Sequence, residues 1–215
     1  MIKINKGVEP NVLTNNKVAW TAELLGYINR NEKVPDGVYN RYNNNEIKNS
    51  LREECSYKCM YCESPVAHVS YEHIEHIQPK AKTKFPALTY EWYNLGLSCP
   101  VCNMNKGDNY DILLPFINPY TDNPSLFIFA LGHFIYHRPA NQRGELTKRI
   151  FKLNRPELIE RRQERLESIS RLIDKYHSEN NQILKAAIKD EIEIEIQDDK
   201  PYSLCAKSIY DAMMN

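Results

Sequence analysis

The chain has 215 residues, with 28 Lys+Arg against 28 Asp+Glu, so its formal net charge is zero. With 42% hydrophobic and 26% charged residues it is neither a disordered acidic tail nor a basic histone-like chain, and its length suffices for a real core. The longest apolar run, Leu126 to Tyr136, is broken at Gly132 and His133 and is too short to span a bilayer. The opening MIKINKGVEP has no apolar signal core, so a cytoplasmic protein without membrane contact is expected.

Residues 1–58 read as a helical collar. Val18, Trp20, Leu24, Leu25 and Ile28 roughly keep one helical face. Pro35-Asp36-Gly37 marks a turn, and Asn43-Asn44-Asn45 opens a second helix carrying Ile47 and Leu51. For 29–45 a solvated loop is the alternative.

Cysteines then fall at 55, 59, 62, 99, 102 and 205. Four of them form the pairs Cys59-Met-Tyr-Cys62 and Cys99-Pro-Val-Cys102. In a reducing compartment such pairs bring four thiolates to one tetrahedral Zn²⁺ more readily than they build a disulfide framework. The alternative is four buried structural thiols. Four thiolates leave no open position for water, so this zinc is expected to be structural. Cys55 and Cys205 have no partner at metal spacing and read as ordinary packed or surface thiols.

Between the two pairs lie the residues that carry chemistry. Tyr71 to Ile77 suits a short strand before Pro79, Trp92 to Leu97 a second short element, and Pro100 to Lys106 a helix ending at Gly107. His76 can take a proton from water near neutral pH. Its neighbour Glu75 would face the opposite side of a regular strand, unless a bulge or the strand end re-aims one of the two. Asn103 offers an amide oxygen suited to a hard cation such as Mg²⁺. An ion held by Glu75 and Asn103, with His76 activating water, describes metal-assisted hydrolysis of a phosphodiester.

Beyond the second pair, Pro115 to Pro124 reads as an irregular connection and Leu126 to Tyr136 as a hairpin of two short strands. His133 and His137 read as structural or exposed. Asn154-Arg155-Pro156-Glu157 has the pattern of an Asn capping box. From Leu158 to about residue 190 a 3.6-residue period predicts one long helix, or two with a break at Ser178 to Asn181. Arg161, Arg162, Arg165 and Arg171, interleaved with Glu, read as a solvated helix face. Glu191 to Gln197 alternates Glu and Ile and predicts a short strand, and Pro201 and Ser203 announce a final helix ending near Met214. The fold class expected is α+β, a mostly helical unit in three parts: collar 1–58, core 59–112, and a connecting, hairpin and helical region 113–215.

The ordered motifs Cys-x-x-Cys, Glu-His-Ile-x-Pro, Asn-Leu and Cys-x-x-Cys-Asn-x-x-Lys resemble an HNH endonuclease of the ββα-metal type. The resemblance implies His76 as general base, Glu75 and Asn103 as ligands of a catalytic Mg²⁺ or Mn²⁺, and Asn94 as the residue orienting the loop that carries the histidine. It implies Cys59, Cys62, Cys99 and Cys102 as the zinc ligands. The sequence departs from the commonest pattern with Glu in place of Asp and with Asn in place of the last His. Lys6 to Pro10, Glu-His-Ile-x-Pro-Lys at Glu75 to Lys80, Asn118-Pro119, Leu153-Asn154-Arg155 and Pro201-Tyr202-Ser203 extend the likeness to the HNH subunits of Septu and related retron anti-phage systems. In that family the nuclease is paired with a PtuA-type ABC/SMC-like ATPase, and the substrate implied is DNA, less often RNA. The readings competing with this one are a zinc module that binds nucleic acid or a partner without cutting, and a stand-alone restriction-type enzyme. The clearest basic excess lies in 126–188, twelve against seven, while the cysteine-bracketed region is slightly acidic. Few phosphates could be neutralised by such a chain alone, so help from a partner in gripping nucleic acid is expected.

Overall fold

A computed structural model of the chain describes residues 1–66 and 72–214. Among them the elements run α1 (Asn11–Asn29), α2 (Asp36–Tyr39), α3 (Asn45–Glu54), β1 (His73–His76), β2 (Leu95–Ser98), α4 (Pro100–Lys106), β3 (Ile128–Leu131), β4 (Phe134–His137), α5 (Gln142–Ile150), α6 (Pro156–Ser178), α7 (Gln182–Glu195) and α8 (Ser203–Met214). Helices thus surround two antiparallel two-stranded sheets, β1–β2 and β3–β4, which is the α+β class expected. Tyr71, where the first strand was expected to begin, lies outside the described residues.

The central unit is β1, β2 and α4. Plain antiparallel register sets Glu75 opposite Gly96 and His76 opposite Leu95. All four positions of β2 are buried. Gly96 is small for a reason: a Cβ there would meet Met60 Sδ at 2.3 Å, so the first cysteine turn lies directly on β2. Pro100 opens α4 at its first turn, and Gly107, at φ +51°, ends it where an L-residue would be strained.

The collar is tied to this unit from several sides. Asn44 caps α3 by accepting from the Glu46 amide, and Ile47 and Leu51 are fully buried. In α1 the expected stripe is corrected. Only Val18 leaves it, at 79% exposed; Leu24 is buried, Trp20 and Ile28 pack against the core, and Leu13, three turns before Leu24, joins them. The segment before α1 is fastened by Lys6, whose ammonium lies 3.6 Å from the Trp92 ring centre and donates to Glu54 and to the Leu95 carbonyl, each at 2.8 Å. The Ile4 amide, just before the Lys6 to Pro10 motif, donates to the Pro119 carbonyl at 3.0 Å.

In the C-terminal region the hairpin forms as expected, turning at Gly132 (φ +58°). Helix α5 was not anticipated, because its segment carries only Leu146 and Ile150 as apolar residues of helical spacing. It rests so close on the hairpin that a Cβ on Gly144 would meet the Phe127 carbonyl oxygen at 2.3 Å. The expected capping box at Asn154 is also corrected. The residue preceding α6 is Arg155, with no side-chain cap. Asn154 instead accepts from the Ile135 amide at 2.9 Å and donates to its carbonyl at 2.8 Å, serving the outer edge of β4. The long periodic stretch breaks between Ser178 and Gln182, with Asn181 capping α7. The strand expected at 191–197 is not found. Ile188 and Ile192 are four apart and buried with Ile169, Ile173 and Ala206, so the Glu/Ile alternation lies on a helix whose face closes a small second core. Cys55 and Cys205 are buried thiols. Among the described residues no helix is long and apolar enough to cross a membrane.

Asn154→Ala removes both hydrogen bonds to Ile135 at once. Urea unfolding should show a loss of about 1–3 kcal/mol, and an unchanged unfolding midpoint would contradict the role given to this side chain.

Candidate active site

The site begins with the two cysteine turns. In the first, the Cys59 amide donates to Ser64 and the Met60 amide to Leu97, both at 2.9 Å, and Glu63 takes a positive φ of 63° to close the loop. The Glu63 carboxylate accepts from the Met1 amine, from Ser203 Oγ at 2.8 Å and from the Leu204 amide at 3.2 Å, which anchors α8 to the turn. In the second turn Cys99 caps α4, its Sγ accepting from the Cys102 amide at 3.4 Å. The four sulfurs come within 4.8 Å of one another, and Cys62 and Cys99 are 3.8 Å apart. Sulfurs about 2.3 Å from a tetrahedral ion would be about 3.8 Å apart, so the set fits one metal ion. Among the described residues it is the one cluster of this kind, and His133 and His137 do not form another.

Arg155 completes the cluster. Its guanidinium lies 3.8 Å from Cys102 Sγ, 3.8 Å from Cys62 Sγ and 3.9 Å from Cys99 Sγ. Burial disfavours its charge, but the thiolates of Cys62, Cys102 and Cys99 outweigh this and hold its pKa above the ordinary value. The sequence placed Arg155 in a capping motif, and nothing in its spacing disclosed the sulfur contacts.

Beside the clamp lies an open cavity of about 380 Å³ bordered by Glu75, His76, Asn103, Lys106, Lys80 and Tyr42, among others. Three of the residues singled out from the sequence, Glu75, His76 and Asn103, therefore meet there. No bulge interrupts the register, and His76 is the last residue of β1, paired with Leu95. Asn94 does not border the cavity. It lies behind the histidine loop, accepting from the Gln78 amide at 2.7 Å and donating to the carbonyls of Gln78 and Leu88, both at 3.0 Å. Its own carbonyl accepts from the Ile77 amide at 2.9 Å.

That pinning sets the histidine. His76 Nε2 is 3.0 Å from the Thr89 carbonyl oxygen, which can only accept, so the proton resides on Nε2 and Nδ1 is the basic atom. Tyr42 meets the ring edge-on, with centres 4.5 Å apart. Burial, supplemented by the charges of Lys80 and Lys106 and opposed by the Thr89 contact, lowers the His76 pKa to about 3. The imidazole is neutral.

Glu75 is buried as well, and burial pushes its pKa up to about 6 against the pull of Lys106. Its Oε1 is 2.6 Å from the Lys106 ammonium and 3.5 Å from the Tyr61 hydroxyl. Oε2 and the Asn103 side chain take no hydrogen bond among the described residues. Two unengaged oxygen donors bordering one cavity fit a hard divalent cation that keeps most of its water. Lys106 also donates to the His76 carbonyl at 2.7 Å, so one ammonium fixes both the carboxylate and the backbone of the histidine. The Cys-Asn-x-x-Lys spacing could have disclosed this, since Asn103 and Lys106 are i,i+3 on α4 and share a face. Thr89 and Tyr42 carry no such signal.

Two antiparallel strands and a helix, locked by a four-sulfur cluster and presenting a buried histidine, define a ββα-metal finger. Residues 59–109 match the HNH endonuclease family. Over a longer span the chain is 30% identical across 199 positions to the Septu protein PtuB of Bacillus mycoides (strain KBAB4), a match taking in 75% of this chain and 66% of that protein. It is 31% identical across 155 positions to the Septu protein PtuB of Bacillus thuringiensis, taking in 72% of this chain and 55% of that protein. The chain thus spans somewhat under two thirds of one relative's length and little over half of the other's.

The depressed His76 pKa has a consequence for stability. Unfolded chains take up a proton on this ring below about pH 6.5, whereas the folded protein resists it down to about pH 3. Its contribution to stability is therefore complete above pH 6.5 and is lost as the pH falls between these values. In the NMR spectrum the His76 Cε1–H resonance should stay fixed from pH 8 to pH 5, and a midpoint near pH 6.5 would contradict the buried, Thr89-bound placement.

Proposed function

We propose that this protein is a metal-dependent endonuclease that hydrolyses phosphodiester bonds of nucleic acid, DNA in preference to RNA, as the nuclease subunit of an anti-phage defence complex with a PtuA-like ABC/SMC-type ATPase. The observation that carries the reading is the convergence of His76, Glu75 and Asn103 on one cavity, with the His76 proton directed to Thr89. A non-catalytic zinc module has no use for an imidazole buried neutral with its basic nitrogen left over. The similarity to Septu proteins supports the defence role and the ATPase partner.

In this reading His76 Nδ1 takes the proton of the attacking water. Thr89 stabilises the imidazolium that forms, through the hydrogen bond that already holds Nε2. An anionic phosphate entering the cavity offsets the Lys80 and Lys106 charges that depress the ring's basicity. Glu75 and Asn103 would hold Mg²⁺ or Mn²⁺, which when bound supplies positive charge to the departing oxygen. Lys106 keeps Glu75 turned toward α4 and fixes the backbone from which His76 projects. Asn94 positions the histidine loop. Cys59, Cys62, Cys99 and Cys102 would hold Zn²⁺ in a structural site, with Arg155 balancing the excess thiolate charge. Residues 59–112 then act as the nuclease core between the collar, 1–58, and the C-terminal region, 113–215.

Cleavage of DNA and of RNA is to be measured with and without the ATPase. His76→Ala should lower the rate by at least about 10²–10⁴-fold while circular dichroism and zinc content stay at the wild-type level. Undiminished cleavage by this variant would remove His76 as the base. Protein stripped with EDTA and reloaded with zinc should recover activity on adding Mg²⁺ or Mn²⁺, and recovery with zinc alone would exclude the second metal. Cys59→Ser or Cys99→Ser should lower bound zinc and the melting temperature together, because the site is structural.

A further inference from the structure

One cation in the cavity, Lys80, has no carboxylate at ion-pair distance among the described residues. Lys80 lies two residues after Gln78, whose peptide Asn94 grips from both sides, and Pro79 between them is buried. Its ammonium lies 3.3 Å from the ring centre of Tyr39, the last residue of α2, and 5.1 Å from that of Tyr42. Of the cavity's other acids, Glu72 pairs with Arg52 and Glu75 with Lys106, while exposed Asp108 acts on Lys80 only as a charge beyond ion-pair distance. Lys80 itself is half-buried and borders the same cavity as His76. Two aromatic faces hold a long, otherwise mobile side chain in one direction, which lowers the entropy lost when it meets an anion.

We propose that Lys80, seated on Tyr39 and Tyr42, grips a backbone phosphate of the nucleic acid whose phosphodiester His76 attacks. The inference rests on the nuclease reading for its substrate class and adds a binding residue to it. It also gives the helical collar a function, because Tyr42 and Asn43 border the substrate site and Tyr39 seats its cation. A compact ammonium suits a single phosphate oxygen approached from several directions, whereas a planar guanidinium would impose its own fork geometry. Phosphate is the feature DNA and RNA share, so Lys80 is expected to grip both, and discrimination between them falls to other contacts.

The test uses the full chain, zinc-loaded and carrying His76→Ala so that probes remain uncut. Binding of a fluorescein-labelled DNA duplex and of a labelled RNA hairpin is followed by anisotropy over a range of salt concentrations. Lys80→Gln should weaken binding about tenfold and reduce the slope of log affinity against log salt by about 1, the signature of one lost phosphate contact. Lys80→Arg should restore most of the slope, and Tyr39→Leu, which keeps the charge but removes the seat, should fall between. Should Lys80→Gln not fold, as judged by circular dichroism and zinc content, the Arg and Tyr39 variants decide the matter. An unchanged slope on both probes, or no binding by the Lys80-containing protein at low salt, overturns the proposal. Failure of the nuclease reading is seen separately, as absence of cleavage by the wild type or its persistence in His76→Ala, while the salt slope still reports on Lys80.

Discussion

Everything at the centre of this protein depends on four sulfur atoms meeting at one point. The first cysteine turn is laid on β2 through the Met60 amide, and the second forms the opening turn of α4. Thirty-six residues separate the two turns, and they include β1 and the histidine loop. Two four-residue strands do not hold together by themselves in water. Drawing Cys62 and Cys99 to 3.8 Å closes that long segment into a loop, so the strands pair without bearing the whole entropic cost of its ends meeting. The clamp also recruits the periphery, with α6 attached through Arg155 and α8 through Glu63.

Around the clamp, burial of charge supplies order that the short strands lack. A carboxylate and an ammonium taken out of water each cost several kcal/mol, and the pair recovers this only with good geometry and further hydrogen bonds. Glu75 and Lys106 meet those conditions at 2.6 Å, with the spare donors of Lys106 given to the His76 carbonyl at 2.7 Å and more loosely to Gly107 at 3.4 Å. Removing either partner would strand a buried charge, so α4 and β1 hold one relative position. The histidine between them inherits that rigidity. Its proton is fixed by a carbonyl, its loop by Asn94, and its ring edge by Tyr42 of the collar.

Much of this was legible in the residues. The paired cysteines announced a cluster because their spacing has few other uses, and Pro100 and Gly107 bounded α4 because each is specific in its backbone chemistry. Glu75, His76 and Asn103 were recognisable as a set and meet at one cavity. What stayed hidden was long-range. Thr89 acts through a backbone carbonyl that any residue possesses. Tyr39 and Tyr42 reach the site only after the collar folds back on it. Asn154 looked like a cap and serves a strand, because a side-chain amide satisfies whichever backbone pair tertiary packing presents. Residues 191–195 alternate as a strand would, yet Ile188 and Ile192 at helical spacing decide the matter by burying against α6 and α8.

The central claim is that a single closed metal site of four thiolates organises the finger. X-ray absorption at the zinc edge of the purified protein tests it most directly. The account predicts one zinc per chain with four sulfur neighbours at about 2.3 Å and no nitrogen or oxygen in the first coordination sphere. A mixed sphere containing nitrogen or oxygen, or protein that is folded and free of zinc with its cysteines reduced, would contradict it.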